Sequence, residues 1–205
     1  MAEKILTTNT VLQNLLRDLE VPHIEERLPR EFFYRQGLAF PQQYGIACRD
    51  VAACIRRAEA LGAGPFLHTR TKPPNWIERG EKRDCTLEFA LGYAGDAQIE
   101  FLGPGRGTEH YARALADTDI VLHHVGIYQM GMPQIAEALE SSGYPTAVTG
   151  GLTMGRALKI DFRYFDARHD HGLYLEVLDF QLFGFPLSTE PVIRAQAALR
   201  RRLRG

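Results

Sequence analysis

The chain contains an internal repeat, and this repeat restricts the possible folds more than any other feature of the sequence. The first copy begins QYGIACRDVAACIRRAEALGAGPF at residues 43–66, and the second begins HVGIYQMGMPQIAEALESSGYPTA at residues 124–147. Aligned without a gap, the copies share an x-Gly-Ile start and a glycine near the end, in the pairs Gly45 and Gly126, Ile46 and Ile127, and Gly62 and Gly143. Internal repeats usually correspond to repeated supersecondary units. The sequence therefore predicts two similar modules in tandem.

Within each copy, the hydrophobic pattern predicts a strand, a turn, a helix and then further strands. Apolar residues at helical spacing are Ile55, Ala58 and Leu61 in the first copy and Ile135, Ala138 and Leu139 in the second. The shared glycine follows each helix, where a left-handed residue is common. Strand-like segments come next, at 65–70, 85–93 and 97–102 in the first copy and at 157–165 and 173–178 in the second.

The boundaries of the modules follow from these segments. The first module is predicted to span residues 40–104 and the second residues 120–183. Gly103, Pro104, Gly105 and Gly107 lie around the end of the first module, and residues 105–119 are predicted to be a linker. Residues 1–39 are predicted to form an amphipathic helix and an irregular connector. Residues 184–205 are predicted to be a basic C-terminal tail that forms a solvated surface helix.

The composition favours a globular protein of a reducing compartment. The 205 residues include 24 basic and 25 acidic side chains, so there is no electrostatic reason to expect nucleic acid or an anionic membrane as a partner. No run of about 18 apolar residues is present, so no membrane span is predicted. The N-terminus is charged throughout, unlike a signal peptide, and the three cysteines form no CxxC pair. We therefore predict a cytoplasmic protein.

Four polar residues stand at equivalent places in the repeat. Gln43 and His124 begin the first strands, and Glu100 and Glu176 lie within the last strands. A pseudo-twofold axis between the modules would bring these positions together. Two carboxylates buried there would repel each other unless they were protonated or bound to a cation, and an imidazole and an amide oxygen complete a mixed N/O set that divalent metals accept. Alternatively, the glutamates point out to water, as strand alternation allows.

The neighbouring residue His123 suggests a second interpretation, in which a histidine here is simply part of the strand and not a ligand. His124 occupies the register of Gln43 in the x-Gly-Ile pattern and is the better candidate ligand. Because side chains alternate along a strand, His123 is expected to face the other side of the sheet.

The chain resembles the vicinal oxygen chelate superfamily, which includes glyoxalase I, methylmalonyl-CoA epimerase and bleomycin-resistance proteins. The segments that carry the resemblance are QYGIACRD, EALGAGPF, AQIEFLGP, LHHVGIY, SSGYP and GLYLEVLD, and together they cover residues 40–180. The resemblance implies an α+β fold of two tandem βαβββ modules that form a cupped mixed sheet, here with an N-terminal helical extension. In this superfamily the modules pair either within one chain or between two chains, and both arrangements remain open.

The resemblance also implies a site and a reaction. One divalent metal ion would be held by Gln43, Glu100, His124 and Glu176, with zinc favoured and nickel, cobalt, manganese or iron as alternatives. This ligand set is similar to that of zinc-type glyoxalase I. The implied activity is that of a metal-dependent lyase or isomerase, which abstracts a proton next to a carbonyl through a metal-stabilised enediolate. Glu176 is the expected base, and Glu100 is the alternative catalytic residue. The implied partners are a small-molecule substrate and a second copy in a homodimer.

Two alternatives to the glyoxalase-type reaction remain open. The segments DVAACIRRAEALGAGPF and AQIEFLGPG are more similar to the epimerase branch, which favours an acyl-CoA epimerase. A non-catalytic small-molecule binding protein of the same fold is the other alternative. Ring-cleaving members of the superfamily require a second histidine in the later module, but His169 and His171 lie in a polar segment that is predicted to be a solvated turn.

Two segments are candidates for the rim of the site. Residues 68–84 form a long polar excursion between strands, and long loops of this kind often cover sites. Within it, Arg70, Lys72 and Arg79 are either contacts for an anionic group or ordinary surface charges. The glycine-rich residues 150–156 are the second candidate.

Overall fold

The computed structural model describes residues 9–21, 27–154 and 157–204. Within these ranges, eleven strands form one mixed sheet: β1 (Gln43–Cys48), β2 (Leu67–Thr71), β3 (Trp76–Glu78), β4 (Glu81–Lys82), β5 (Leu87–Ala94), β6 (Ala97–Leu102), β7 (Ile120–Tyr128), β8 (Thr146–Met154), β9 (Leu158–Asp166), β10 (Tyr174–Leu182) and β11 (Phe185–Pro186). The helices of the same ranges are α1 (Thr10–Asp18), α2 (Arg30–Gln36), α3 (Val51–Ala60), α4 (Met132–Ser141), α5 (Arg168–His171) and α6 (Glu190–Arg204), with a 3₁₀ turn at Arg113–Leu115.

The strand order confirms the predicted α+β fold of two βαβββ modules. Strands of the first module lie in the order β2-β5-β6-β1, and those of the second lie in the order β7-β10-β9-β8. In each module the first strand is parallel to the last. This arrangement is possible because a helix, and not a tight hairpin turn, follows the first strand. The two modules join edge to edge through the antiparallel pair β1 and β7. Pairing therefore occurs within one chain.

The convex face of the sheet is covered by helices. Helices α3 and α4 bury most of the apolar stripes that the repeat predicted, including Ala58 and Leu139, but Ala138 is exposed and Ala136 is buried instead. The predicted N-terminal helix is α1, which begins after Asn9, whose side chain accepts a hydrogen bond from the Leu12 amide. Its leucines join the same core, so this helix is an integral part of the convex layer. The concave face remains for a site.

The polar excursion after β2 crosses to the second module. Residues 72–75 connect β2 to β3, and β3 pairs antiparallel with β8, with Trp76 opposite Gly150 and Glu78 opposite Val148. A Cβ at Gly150 would lie 2.3 Å from the Phe162 ring, so only glycine fits this crossing. The excursion is therefore not only a loop, since it adds two short strands to the far edge of the second module. The other predicted rim segment is strand β8 up to Met154, and residues 155 and 156 lie outside the described residues.

The C-terminal tail forms helix α6, but the expectation of a simply solvated helix is wrong. Ile193 and Ala197 are buried against the first module, because they lie one turn apart on the apolar stripe of the helix. The Arg194 guanidinium stacks 4.1 Å from the centre of the Tyr93 ring and donates to the Gly95 carbonyl oxygen. Among the described residues, no helix combines the length and the apolar character that crossing a membrane requires.

Candidate metal centre

Three of the four predicted ligands meet at the seam between the modules. The Nε2 atom of His124, on β7, lies 3.3 Å from a carboxylate oxygen of Glu100 on β6 and 3.1 Å from one of Glu176 on β10. The candidate ligand atoms of these three residues all lie within 4.8 Å of one another. Strands β6 and β10 flank the central pair β1 and β7, which is why equivalent positions of the two modules converge here.

The glycines of the two x-Gly-Ile motifs make room for the polar residues opposite them. Across the seam, Gly45 pairs with His124 and Gly126 pairs with Gln43. A Cβ at Gly45 would lie 1.8 Å from the His124 ring, and a Cβ at Gly126 would lie 2.2 Å from Oε1 of Gln43. Each module thus leaves a gap that is filled by the first-strand side chain of the other module.

Gln43 lines the same cavity as Glu100 and Glu176 and presents its oxygen without a partner. Its Nε2 donates to Oε1 of Gln98 at 2.7 Å, and Oε1 of Gln98 also accepts from the Tyr128 hydroxyl at 2.7 Å. The amide group of Gln98 is held in turn by donation from its own Nε2 to the Tyr93 hydroxyl. This chain of hydrogen bonds fixes the amide of Gln43 so that its oxygen is the free atom.

Unpaired lone pairs indicate that the site fits a cation. Oε1 of Gln43, Nε2 of His124 and Oε2 of Glu176 are all buried and make no hydrogen bond, although the last two atoms lie within ion-pair distance of each other. Buried polar atoms without partners are rare in native proteins because each costs its lost hydration. A divalent cation would satisfy all three at once, and the mixed N/O donor set suits zinc or a neighbouring transition metal.

Electrostatics of the free site favour the same conclusion. Burial raises the pKa of Glu100, the contact with His124 partly offsets this effect, and the nearby charge of Glu176 raises the pKa further. Burial alone would lower the pKa of His124, but the carboxylates of Glu176 and Glu100 overcome this effect and raise the pKa to about 9. Without a cation, the site therefore retains a proton between two buried acids. A bound metal would replace that proton.

The other histidine of the pair lies on the same side as His124, so the expectation that it faces away is wrong. Gly45 pairs with His124 and Ile46 pairs with Leu122, so His123 is the extra residue of a β-bulge, which breaks the alternation of side chains. The Nδ1 atoms of His123 and His124 lie 3.2 Å apart, and Nε2 of His123 lies 3.3 Å from the backbone oxygen of His110.

These contacts define the protonation states that metal binding requires. If Nε2 of His124 is a ligand, its Nδ1 carries the proton and donates to Nδ1 of a neutral His123. The ring of His123 then donates from Nε2 to the His110 carbonyl oxygen. Burial lowers the pKa of His123, with the charges of nearby histidines acting in the same direction, so the neutral form is favoured. Partners of this kind orient a histidine ligand toward its metal.

A cavity of about 470 Å³ opens above the candidate ligands on the concave face. Its walls come from alternate positions of four strands, namely Leu87, Phe89 and Leu91 on β5, Glu100 and Leu102 on β6, Ile160, Phe162 and Tyr164 on β9, and Glu176, Leu178 and Phe180 on β10. The crossing segment adds Pro73, Pro74 and Trp76, as its predicted position at a rim suggested. Helix α6 adds Val192 and Ile193.

Several residues of the site could not be selected from the sequence. The segment 105–119 was predicted to be a linker, but His110 and Tyr111 are buried beside His123. Gln98 precedes Glu100 by two positions and so shares its strand face, which is a weak signal that periodicity alone could have supplied. His169 and His171 lie on α5, outside the candidate cluster, where Nδ1 of His171 pairs with the Arg27 carbonyl oxygen.

Comparison with known proteins identifies a related family. Residues 42–164 match the family model described as the Glyoxalase/Bleomycin resistance protein/Dioxygenase superfamily. That match covers more than half of the chain and both first strands. A search of curated protein sequences finds no match.

Solved structures share the architecture at low sequence identity. Methylmalonyl-CoA epimerase from Mycobacterium tuberculosis is 14% identical, with a TM-score of 0.51 over 76% of this chain and 93% of the epimerase chain. A methylmalonyl-CoA epimerase in complex with methylmalonyl-CoA is 16% identical, with a TM-score of 0.47 over 69% of this chain and 94% of that chain. A mutant of 4-hydroxymandelate synthase from Streptomyces coelicolor is 11% identical, with a TM-score of 0.47 over 80% of this chain and 55% of that chain. At such identities the likeness concerns the fold alone.

Proposed function

Because the chain belongs to the glyoxalase/bleomycin resistance protein/dioxygenase superfamily, as its motifs predicted, we propose that it is a metal-dependent lyase or isomerase that removes a proton next to a carbonyl group. One observation carries this proposal. Acidic and imidazole side chains from both modules converge at the base of a cavity, and buried lone pairs there lack partners. Members of the superfamily include metal-dependent enzymes, and the cluster offers the ligands that such an enzyme needs.

The proposed ligands are Glu100, His124 and Glu176, with Gln43 as a fourth, weaker one. Zinc is the favoured ion for this set, and nickel, cobalt, manganese or iron are the alternatives. When bound, a divalent cation supplies a Lewis acid that stabilises the negative charge developing on a substrate oxygen.

A carboxylate of the same cluster would transfer the proton. Glu176 is our preferred base, and Glu100 is its counterpart in the first module. Both line the cavity and both approach Nε2 of His124, so each has a free carboxylate oxygen within reach of a bound substrate. Replacing one glutamate at a time by glutamine keeps a neutral oxygen ligand but removes the base. The variant that retains metal and loses turnover identifies the base.

A binding protein without catalysis is the second candidate, and the apolar lining of the cavity is the observation that favours it. The binding-protein candidate predicts no requirement for a metal.

The third candidate, an acyl-CoA epimerase, rests only on sequence motifs and on low-identity neighbours. The predicted homodimer and the cytoplasmic location stay predictions, and light scattering of the purified protein tests the first.

Metal content separates these candidates. Protein purified without chelator or metal-affinity tag is expected to hold about one equivalent of a transition metal per chain, measured by inductively coupled plasma mass spectrometry. Glu100→Ala and His124→Ala should hold almost none, because each removes a ligand. Glu88→Ala is the matched control, since Glu88 lies on the neighbouring strand β5 but pairs with His68 and Arg70 outside the cluster. A wild-type protein that stays empty after incubation with each metal would rule out the enzymatic proposal.

A further inference from the structure

We propose that the substrate of this site is a neutral, largely aromatic carbonyl compound, which rests on the function proposed above and specifies its substrate class. The resemblance to glyoxalases and acyl-CoA epimerases leaves open anionic substrates that carry a glutathione or coenzyme A group. The walls of the cavity exclude such a group from the interior and favour a different molecule.

The first argument is the chemistry of the walls. Away from Gln43, Glu100 and Glu176, nearly all strand positions that face the cavity are aliphatic or aromatic, and the exceptions are Thr71 and Gly151. Along β10 the lining residues run from Glu176 past Leu178 to Phe180, which spans about 13 Å at the rise of an extended strand. A ligand anchored at the carboxylates therefore meets an apolar surface over the rest of its length.

The second argument is that the described lining of the cavity contains no basic side chain. Among the residues that the structure describes, no lysine, arginine or histidine side chain lines the cavity. Two of the three cations that the sequence offered for an anionic group pair elsewhere, and the third, Arg79, is exposed and does not line the cavity. Arg70 lies 3.0 Å from Glu88, and Lys72 lies 3.6 Å from Asp84, with both cationic side chains largely exposed. Away from the proposed metal, a carboxylate or phosphate placed in this cavity would lose its hydration without gaining a cationic partner among the described residues, and this loss is costly.

The third argument is the aromatic character and the size of the space. Trp76, Phe89, Tyr128, Phe162 and Phe180 contribute rings to the lining. Aromatic rings attract one another in edge-to-face and offset arrangements, beyond the gain from burying apolar area. A volume of about 470 Å³ lies within the range of about 300 to 1,000 Å³ that is usual for sites that bind drug-sized molecules.

The fourth argument is that the cover of the cavity is already formed. Pro73 and Pro74 hold the crossing segment, and the pairing of β3 with β8 fixes its far end. Proline restricts the backbone, so this wall loses little conformational entropy when a ligand binds. The opposite wall includes Val192 and Ile193 of α6, whose inner face packs on the sheet.

The test uses Trp76, the single tryptophan of the chain, which is buried in the cavity wall and reports binding through its fluorescence. The probe is benzoin, a neutral diaryl α-hydroxyketone with an acidic proton next to its carbonyl. Acetoin is the matched control, because it has the same functional groups and methyl groups in place of the rings. We expect benzoin to bind about 100-fold more tightly than acetoin, from the apolar area of two rings. S-hexylglutathione, which is charged, should give no saturable change at the concentrations that saturate benzoin.

Two variants locate the binding. Val192→Glu places a charge at the cavity edge of α6 and should weaken benzoin binding at least about fivefold. Leu199→Glu places the same charge on the same helix, at an exposed position that is not part of the lining, and should leave binding unchanged. Loss in both variants, or in neither, would overturn the placement of the ligand in this cavity.

Metal content measured on the same samples separates the two proposals. Benzoin that binds no more tightly than acetoin to a metal-loaded protein would overturn the substrate class while the metal-dependent function stands. Tight benzoin binding to a protein that takes up no metal would support the ligand class and overturn the enzymatic function. Tight binding with bound metal, together with exchange of the benzoin α-proton in D₂O that is lost in Glu176→Gln or Glu100→Gln, supports both.

Discussion

Two glycines determine whether the polar residues of the seam can occupy their positions. Gly45 and Gly126 begin the repeat in each module, and each faces the first-strand polar side chain of the other module. A methyl group at either position would overlap that side chain, at 1.8 Å for Gly45 and 2.2 Å for Gly126. Their backbone angles are those of ordinary strands, so they are needed for space and not for conformation.

Gly45→Ala is expected to lower metal affinity without unfolding the protein. The added Cβ would displace the His124 ring, which is fully buried and has little room to move aside. Zinc affinity measured by competition with a chromophoric chelator should fall by at least about tenfold. Gly103→Ala is the control, because a Cβ there meets its neighbours at 3.4 Å or more, which is an ordinary contact. Equal affinity in the two variants, with circular dichroism spectra like the wild type, would contradict this account of the glycine.

His123→Phe is expected to weaken metal binding by about 10- to 100-fold, the range found when the hydrogen-bond partner of a histidine ligand is removed. Phenylalanine keeps the stacking of His123 on Tyr174 but removes the nitrogen that faces Nδ1 of His124. The absorption spectrum of the cobalt-substituted protein should change as well, since the imidazole of His124 loses its orientation.

His110→Phe is the matched control for that prediction. His110 lies in the same aromatic cluster, but its Nε2 makes no hydrogen bond, and its contact to His123 comes from the backbone oxygen. Burial lowers the pKa of His110 to about 3, so the ring is neutral and its loss removes no charge at ordinary pH. A cobalt spectrum that changes as much in His110→Phe as in His123→Phe would mean that packing, and not the hydrogen bond, is responsible.

At the scale of secondary structure elements, the pair β2 and β5 forms the edge that carries α6. Glu88 on β5 accepts from His68 at 2.8 Å and from Arg70 at 3.0 Å, and both of these residues lie on β2. Burial tends to raise the pKa of Glu88, but these two partners outweigh it, and the pKa lies below the ordinary value of 4.5. A carboxyl group with a lowered pKa in the folded state stabilises the protein above its unfolded-state pKa, and this contribution disappears as the pH falls through the folded-state value.

Glu88→Gln should therefore lower the free energy of unfolding at neutral pH and have a smaller effect in acid. Urea denaturation at pH 7 is expected to show a lower free energy of unfolding for the variant than for the wild type. At pH 3 the difference should shrink, because this pH lies below the unfolded-state pKa and the stabilising contribution falls as the pH approaches the folded-state value. Glu59→Gln is the comparison, at an exposed position of α3. A Glu88 difference that is the same at both pH values would show that charge is not its origin.

Some of these elements could be predicted from the sequence, and others could not. Hydrophobic periodicity and the repeat were sufficient for β1, β7 and the helices that follow them, because these patterns are local. The pairing of β3 with β8 joins residues far apart in the chain, and no local pattern encodes it. His123 was misplaced because a bulge shifts the register by one residue, and side-chain alternation assumes that no such shift occurs.

The convergence of three of the proposed ligands could be anticipated for a related reason. Equivalence in the repeat placed Glu100, His124 and Glu176 at matching points, and a pseudo-twofold arrangement brings matching points together. The burial of His110 and Tyr111 could not be foreseen, because the glycines and the proline of residues 103–107 indicate a turn but do not reveal what the following residues pack against.

At the scale of the whole molecule, the candidate metal centre and the sheet join the same two halves. Glu100 comes from the first module, His124 and Glu176 come from the second, and β1 pairs with β7 through the point where they meet. The crossing segment and α6 tie the modules together at other places, since β3 pairs with β8 and α6 lies over β2 and β5. Because both modules belong to one sheet and are linked at several places, neither is expected to unfold alone. Heating should therefore produce one cooperative transition.

Removing the metal should lower the stability of both modules together. A ligand that binds only the folded state stabilises it by about 2.7 kcal/mol when its free concentration is 100 times the dissociation constant. For a protein of this size that corresponds to about 5 to 10 °C in the melting temperature. Calorimetry of zinc-loaded protein before and after chelation should show a single transition that moves down by this amount. Two separate transitions after chelation would mean that the ion, and not the shared sheet, holds the modules together.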